Sequence, residues 1–143
     1  GLSFTNQHNE QEIPLIIHRA PLGTHERFIG FLLEHFAGKL PMWLAPVQAK
    51  ILPISDKFMD YCVDIKQKMK ARGIRVEIDD RSEKIGKKIR DTELLKVPYM
   101  LVVGEKEMAE HGVSLRMQGK GDQGLIQVDS LISGMVDLIQ NRR

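Results

Sequence analysis

Strand-like and helix-like segments alternate through most of this 143-residue chain, and that alternation restricts its fold more than any other feature. The apolar run 49–54 has the composition of a buried strand, 74–78 alternates apolar and polar residues, and 98–103 is again apolar. Between these runs, apolar residues recur at the spacing of a helix. Strands that alternate with helices favour a mainly parallel sheet covered on both faces.

The last third of the chain adds a different pattern. Segment 113–117 alternates, three glycines follow within 119–124, and 125–128 is apolar enough to pair back as a hairpin. A final helix carries an apolar stripe over 131–139. We therefore expect a mixed α/β fold, with a mainly parallel sheet of about five strands flanked by about three helices, preceded by a strand and a helix.

That preceding segment has its own signals. Residues 1–12 are polar and predict a frayed end, whereas the apolar run 13–17 predicts a strand. Thr24 is placed to cap a helix that Gly38 ends. Apolar residues surround this helix so widely that we expect it to be buried on two sides.

The composition of the chain argues against several classes of protein. No apolar run approaches the roughly 20 residues that span a bilayer, so we expect no membrane partner. The first ten residues lack the basic and apolar regions of a signal peptide. A single cysteine, Cys62, rules out an internal disulfide and fits a reducing compartment, so we expect a cytoplasmic protein. The net charge of +2 is too small to indicate a nucleic-acid partner by itself.

Basic residues cluster in the run 81–96, where six lysines and arginines face three acids. One interpretation is a solvated helix face. The other is an anion site, because the run begins at a strand-to-helix turn, where open α/β sheets bind ligands and a helix offers free N–H groups. The sequence leaves both open.

Two residues near the first helix carry further alternatives. Arg27, just inside the helix, suits a phosphate or nucleotide, but it could equally be a surface arginine paired with Glu26 or Asp60. His18 could be a metal ligand or a histidine satisfied by a neighbour. A zinc site needs three or four ligands, and no His or Cys pair in this chain has ligand spacing.

The string from His18 to Phe28, HRAPLGTHERF, resembles the third signature motif of class II aminoacyl-tRNA synthetases in its threonyl form. Segment 36–48 is similar to the bridge that leaves their catalytic domain. Three further segments resemble their anticodon-binding domain: 73–77, 81–90 and 97–104. The matches follow the family order, which implies that 1–46 is the end of a catalytic domain and 47–143 an anticodon-binding domain.

The resemblance implies roles that need a longer protein. Arg27 would contact ATP, used with magnesium, and His18 would be one zinc ligand, with a cysteine and a histidine upstream of this sequence. The full-length homodimer would attach threonine to its tRNA. This fragment alone would be inactive and would hold no cofactor.

The resemblance also implies a set of tRNA-binding residues. Lys84 and Arg90 would contact backbone or bases, and Ser82 stands where the family often has asparagine. Glu107 and Arg116 would read the second and third anticodon letters, G and U. Arginine can bond guanine O6 and N7 together, and a carboxylate can accept from a base N–H. Without the resemblance, this last pair is two unrelated surface charges or a weak ion pair.

The expected function is therefore recognition of the threonine tRNA anticodon loop, as part of a synthetase. The alternative is a protein-interaction or accessory module of the same fold. A free-standing α/β enzyme is a weaker rival, because the chain has no nucleophile elbow, phosphate-binding glycine loop or clustered acids. Prolyl, histidyl and glycyl synthetases share the domain, but their third motifs lack this histidine-to-arginine string.

Overall fold

The computed structural model of the protein describes residues 1–142 and contains two compact units, Gly1–Phe31 and a second that begins at Leu32. In the first unit, β1 (Phe4–Thr5) pairs antiparallel with β2 (Gln11–Glu12). The Asn6 side chain shapes the turn by accepting backbone N–H groups of His8 at 2.9 Å and Glu10 at 3.0 Å. The predicted frayed end is therefore wrong: an asparagine turn closes a short hairpin.

The predicted strand over 13–17 is not formed. Ile13 and Leu15 are 87% and 89% exposed, and the segment has no strand geometry. A strand needs a neighbour for its N–H and C=O groups, and no described residue pairs with this segment.

Helix α1 (His25–His35) begins as predicted, since the Thr24 hydroxyl accepts the Arg27 N–H at 3.3 Å. Gly38 ends it, with φ +74° and its N–H donated to the Leu33 carbonyl. The expected burial on two sides is wrong, because α1 has no buried residue. Apolar periodicity predicts the helix, but burial also requires elements that cover its sides.

The second unit alternates strands and helices as expected. Its elements are β3 (Ala49–Pro53), a 3-10 turn (Asp56–Phe58), α2 (Met59–Ala71), β4 (Val76–Ile78), α3 (Ile85–Leu94), β5 (Tyr99–Val103), α4 (Glu105–Ala109), β6 (Gly112–Met117), β7 (Gly121–Gln127) and α5 (Val128–Gln140). The sheet order is β4-β3-β5-β6-β7, with β3 parallel to β4 and β5, and the later pairs antiparallel. The predicted five-stranded mixed α/β fold is confirmed. The short α4 is an addition that the sequence patterns do not predict.

The main core lies on the sheet face covered by α2 and α5. Ile51, Leu101 and Leu115 of the strands pack there with Ile65 and Met135 of the helices. Strand side chains alternate between faces, so the neighbours of these residues point to the other side. Connections of parallel strands are right-handed, which places α3 on that second face because its crossover runs opposite to that of α2.

Side chains and a glycine set the ends of several elements. Ser55 accepts the Lys57 N–H at 3.5 Å, and Gly73 ends α2 with φ +76°. Asp79 and Asp80 precede α3 and are residue types that often cap helices, but Lys84 occupies the cap position without a side-chain bond. Within residues 1–142, no helix is both long and apolar enough to cross a membrane.

Candidate nucleic-acid interface

The loop from β4 to α3 is held by a buried carboxylate. Arg81 donates to both Asp79 oxygens, from Nε at 2.8 Å and from a terminal nitrogen at 2.7 Å, and its other terminal nitrogen reaches Asp91 at 2.9 Å. The Asp79 side chain is only 1% exposed, and the hydrogen bonds from Arg81 hold the pKa of this carboxyl below its usual value. Arg81 is therefore committed to the fold and is not a free phosphate ligand.

Two lysines of the basic run are also committed. Lys88 is 3% exposed, and its ammonium donates to the carbonyls of Pro53 at 3.2 Å and Asp79 at 3.1 Å. Lys87 forms an ion pair with Glu83, one helical turn away. The interpretation of the run as a solvated face is thus wrong for Lys88, which ties α3 to the ends of two strands.

Lys84 and Arg90 remain as exposed cations of α3, and neither makes an ion pair or side-chain hydrogen bond with any described residue. Ser82 is exposed in the loop just before Lys84. Both line a shallow cavity of about 410 Å³ at the carboxyl ends of the parallel strands. The predicted backbone contacts therefore lie together at the start of α3, with Arg90 further along the same helix.

Arg116 lies on β6, on the sheet face opposite the main core. Val113 and Leu115 face that core, and alternation turns Arg116 the other way. Its guanidinium pairs with Asp122 of β7 at 3.1 Å, and the two side chains are 29% and 54% exposed. The arginine is thus partly accessible, and Asp122 is its one ion-pair partner among the described residues.

One atom of Arg116 is poorly satisfied. Its Nε is buried and has no hydrogen-bond acceptor among residues 1–142. A buried donor without a partner costs about 1–3 kcal/mol.

Glu107 is fixed by the backbone that precedes α4. Its Oε2 accepts the Gly104 N–H at 3.0 Å. A Cβ on Gly104 would stand 2.8 Å from Cδ1 of Ile54 and 3.0 Å from Oε2 of Glu107, so a larger residue here would displace one of these side chains. No described residue donates to the other carboxylate oxygen, which is left for an outside donor.

Glu107 and Arg116 do not pair with each other. Arg116 lies opposite Met100, near the start of β5, whereas Glu107 follows Gly104 beyond the end of that strand. Met100 and Gly104 are four residues apart along the strand, which corresponds to about 13 Å. The interpretation as a weak ion pair is wrong, and the two groups could meet different parts of an extended ligand.

The sequence interpretation missed Asp122. It lies directly across the hairpin from Arg116, in a pairing shifted by a bulge at Leu115 and Arg116. The three glycines of the turn indicated the hairpin, but the bulge sets which residues face each other.

His18 and Arg27 lie in the first unit. Within the described residues, no group of three or more His, Cys, Asp or Glu side chains could hold a metal. The roles of His18 and Arg27 in a longer protein stay predictions. Cys62 is fully buried, and burial raises the pKa of its thiol to about 11.

Comparison with known proteins supports the RNA-binding interpretation. Residues 48–138 match the family described as "Anticodon binding domain". The chain is 54% identical over 140 residues to a threonine–tRNA ligase of Clostridioides difficile strain 630, covering 98% of this chain and 22% of that protein. It is 49% identical over 127 residues to a threonine–tRNA ligase of Porphyromonas gingivalis, covering 89% of this chain and 19% of the relative. It thus spans about a fifth of these relatives.

A solved structure has the same fold as this chain. The RNA-binding domain of threonyl-tRNA synthetase from Cryptosporidium parvum Iowa II superposes with a TM-score of 0.81 at 38% identity, covering 96% of this chain and 35% of that chain.

Proposed function

The chain belongs to the anticodon-binding domain family, and on that premise we propose that it recognises the anticodon loop of the threonine tRNA. The observation that carries the proposal is the family match over residues 48–138, which includes the candidate base readers. The proposed interface is the α3 side of the sheet, from the start of that helix to the open strands β6 and β7.

Lys84 and Arg90 supply the backbone part of this interface. Both are exposed cations without protein partners among the described residues. Cations near phosphates release counterions and position the RNA, but they carry no base information. With Arg81 and Lys88 committed to the fold, the electrostatic share of binding is modest.

Arg116 is the proposed reader of guanine. One terminal nitrogen of Arg116 pairs with Asp122 at 3.1 Å, and an exposed ion pair of this kind is worth about 0.2–1 kcal/mol. A bidentate contact to guanine O6 and N7 discriminates against other bases by about 1–3 kcal/mol. The ion pair is therefore a weak competitor for the guanidinium.

Glu107 is the proposed reader of the neighbouring letter. Its carboxylate is oriented by the Gly104 N–H, which leaves one oxygen to accept from a base. Unpaired loop bases expose such N–H groups, whereas duplex RNA hides them.

At the level of the whole protein, we propose a threonine–tRNA ligase that works as a homodimer in the cytoplasm. There Arg27 would contact ATP phosphates, and His18 would need further ligands from outside this chain to hold zinc. Adenylate formation builds negative charge on phosphate, which a fixed guanidinium stabilises.

The test is binding of anticodon stem-loops at low and moderate salt. The threonine loop should bind more tightly than the same loop with adenines at its second and third letters, and its affinity should fall as salt rises. Equal binding of both loops would contradict base reading. No binding of either at low salt would favour the protein-interaction alternative.

A further inference from the structure

A second cleft lies away from Glu107, where β5 begins and β6 ends. Its volume is about 470 Å³, within the range of small-ligand sites. Three lysines, Lys39, Lys96 and Lys120, stand around a largely apolar floor. Tyr99 and Met117 form part of this floor. No role proposed above uses this cleft.

None of the three ammonium groups forms an ion pair or hydrogen bond with any of residues 1–142. The Lys39 nitrogen lies 3.9 Å from where a Cβ of Gly119 would stand, beside Lys120, and the Lys96 side chain lies 3.5 Å from the equivalent point of Gly38. All three lysines line the same cleft, where their like charges repel one another.

The nearby acid, Glu93, is not among the residues that line the cleft. Glu93 accepts the backbone N–H of Gly119 at 2.9 Å, which fixes the β6–β7 turn against α3. Gln118 also donates its backbone N–H to Pro98 at 2.9 Å. These bonds fix the turn that carries Lys120. The lining residues include three lysines and no acid, so their net charge is positive.

Lys96 has a left-handed backbone conformation that favours glycine. It follows the end of α3 with φ +58°, in a turn where the Val97 N–H donates to Thr92 and its own N–H donates to Glu93. Glycine is usual at this position, because a side chain there strains the backbone. A lysine in that conformation, facing the cleft, suggests a use that offsets the strain.

The positive charge of the lysines and the apolar floor of the cleft together indicate the class of ligand that it would bind. Lysines bind phosphate as point charges, without the fixed fork of arginine. Apolar and aromatic side chains offer a surface on which any base can stack. An open cleft with both features suits one nucleotide of a strand that continues on either side.

We propose that this cleft binds an unpaired nucleotide of RNA, its base against Tyr99 and Met117 and its flanking phosphates on Lys39, Lys96 and Lys120. The inference rests on the proposed RNA-binding function, but the site is separate from Arg116. Binding here is independent of base identity, because the floor offers stacking and not a pattern of donors.

The test uses fluorescein-labelled hexaadenylate at low salt. This probe lacks G and U, so it cannot satisfy the anticodon readers. The protein should bind it, and Lys39→Gln/Lys120→Gln should weaken binding about tenfold, from the loss of two phosphate contacts. Lys57→Gln/Lys70→Gln removes the same charge from exposed positions outside the cleft and should change the Kd less than about twofold. An abasic hexamer should bind the unmodified protein at least about fivefold more weakly than hexaadenylate.

The outcomes separate the two proposals. If the cleft variant binds hexaadenylate as well as the control variant, or if the unmodified protein does not bind it, the cleft proposal is overturned. If the abasic hexamer or tripolyphosphate competes equally well, the cleft is an unselective cluster of charge, and the nucleotide assignment is wrong. The cleft variant should still bind the threonine loop more tightly than its adenine-substituted form. If the unmodified protein binds these two loops equally, the anticodon proposal is contradicted and the cleft proposal is not affected.

A third variant tests whether Lys96 serves RNA binding or the stability of the fold. Lys96→Gly should weaken hexaadenylate binding while its melting temperature stays equal or rises, because glycine relieves the strained backbone. Equal binding with a lower melting temperature would show that Lys96 serves the fold, which would contradict its place in the site.

Discussion

Asp79 should stabilise the fold chiefly through its bonds to Arg81, and Asp79→Asn measures that contribution. The carboxylate is 1% exposed and accepts two arginine bonds at 2.8 and 2.7 Å. Hydrogen bonds to charged groups are worth about 1.5–3 kcal/mol. Loss of one partner of a fully buried pair costs about 3–5 kcal/mol, but Arg81 is 45% exposed and keeps Asp91, so it can be hydrated. We expect a loss of about 2 kcal/mol in the free energy of unfolding.

The pH dependence follows from the lowered pKa of Asp79. An unfolded aspartate has a pKa of about 3.9, so the stabilisation is complete above that value. It is lost as the pH falls through the lower folded-state pKa. Urea denaturation followed by circular dichroism should therefore show a constant deficit for Asp79→Asn from about pH 7 to 5, narrowing below about pH 4.

Asp80→Asn is the matched control, since Asp80 is the exposed neighbour and makes no ion pair with a described residue. It should leave the unfolding free energy within about 0.5 kcal/mol of the original. A deficit for Asp79→Asn that is absent near neutral pH, or that persists unchanged in acid, would refute this reasoning. Because the same bonds shape the loop that carries Ser82 and Lys84, Asp79→Asn should also weaken stem-loop binding.

Three further results are expected. Asp122→Asn should tighten stem-loop binding by up to about fivefold, because it removes the ion pair that competes for Arg116; weaker binding in a titration would show that Asp122 helps the complex. Lys84→Gln should lower the slope of log affinity against log salt concentration by about one. Lys87 is already paired with Glu83, so Lys87→Gln should change that slope less than half as much. Equal slopes for the two variants would contradict a phosphate contact by Lys84. Cys62 should react with a thiol reagent only on unfolding at about pH 8, because burial raises its pKa to about 11; fast labelling of the native protein would contradict its burial.

The sheet was predictable because its signals are local and repeated. Apolar runs, helical spacing and turn glycines each restrict a few neighbouring residues, and together they indicate five strands and the order of the main helices. The hairpin of the first twelve residues was not predictable in this way. Its strands are two residues long, too short for any periodicity, and the Asn6 side chain bonds the backbone of the turn between them.

The site was less predictable because its decisive contacts are remote in sequence. Lys88 looked like a surface cation, yet it bonds a carbonyl 35 residues away. Arg116 meets Asp122 only through a bulged register. The resemblance supplied the candidate readers, while charge composition alone could not separate free cations from those already bound within the fold.

The central claim is that Arg116 reads guanine at the second anticodon letter. Binding of the protein and of Arg116→Ala to the threonine stem-loop, with guanine or adenine at that letter, tests it directly. The protein should prefer guanine by about 1–3 kcal/mol, and Arg116→Ala should lose most of that preference while keeping its salt dependence. If Arg116→Ala binds both loops more weakly but keeps the preference, another residue reads the base and the assignment is wrong.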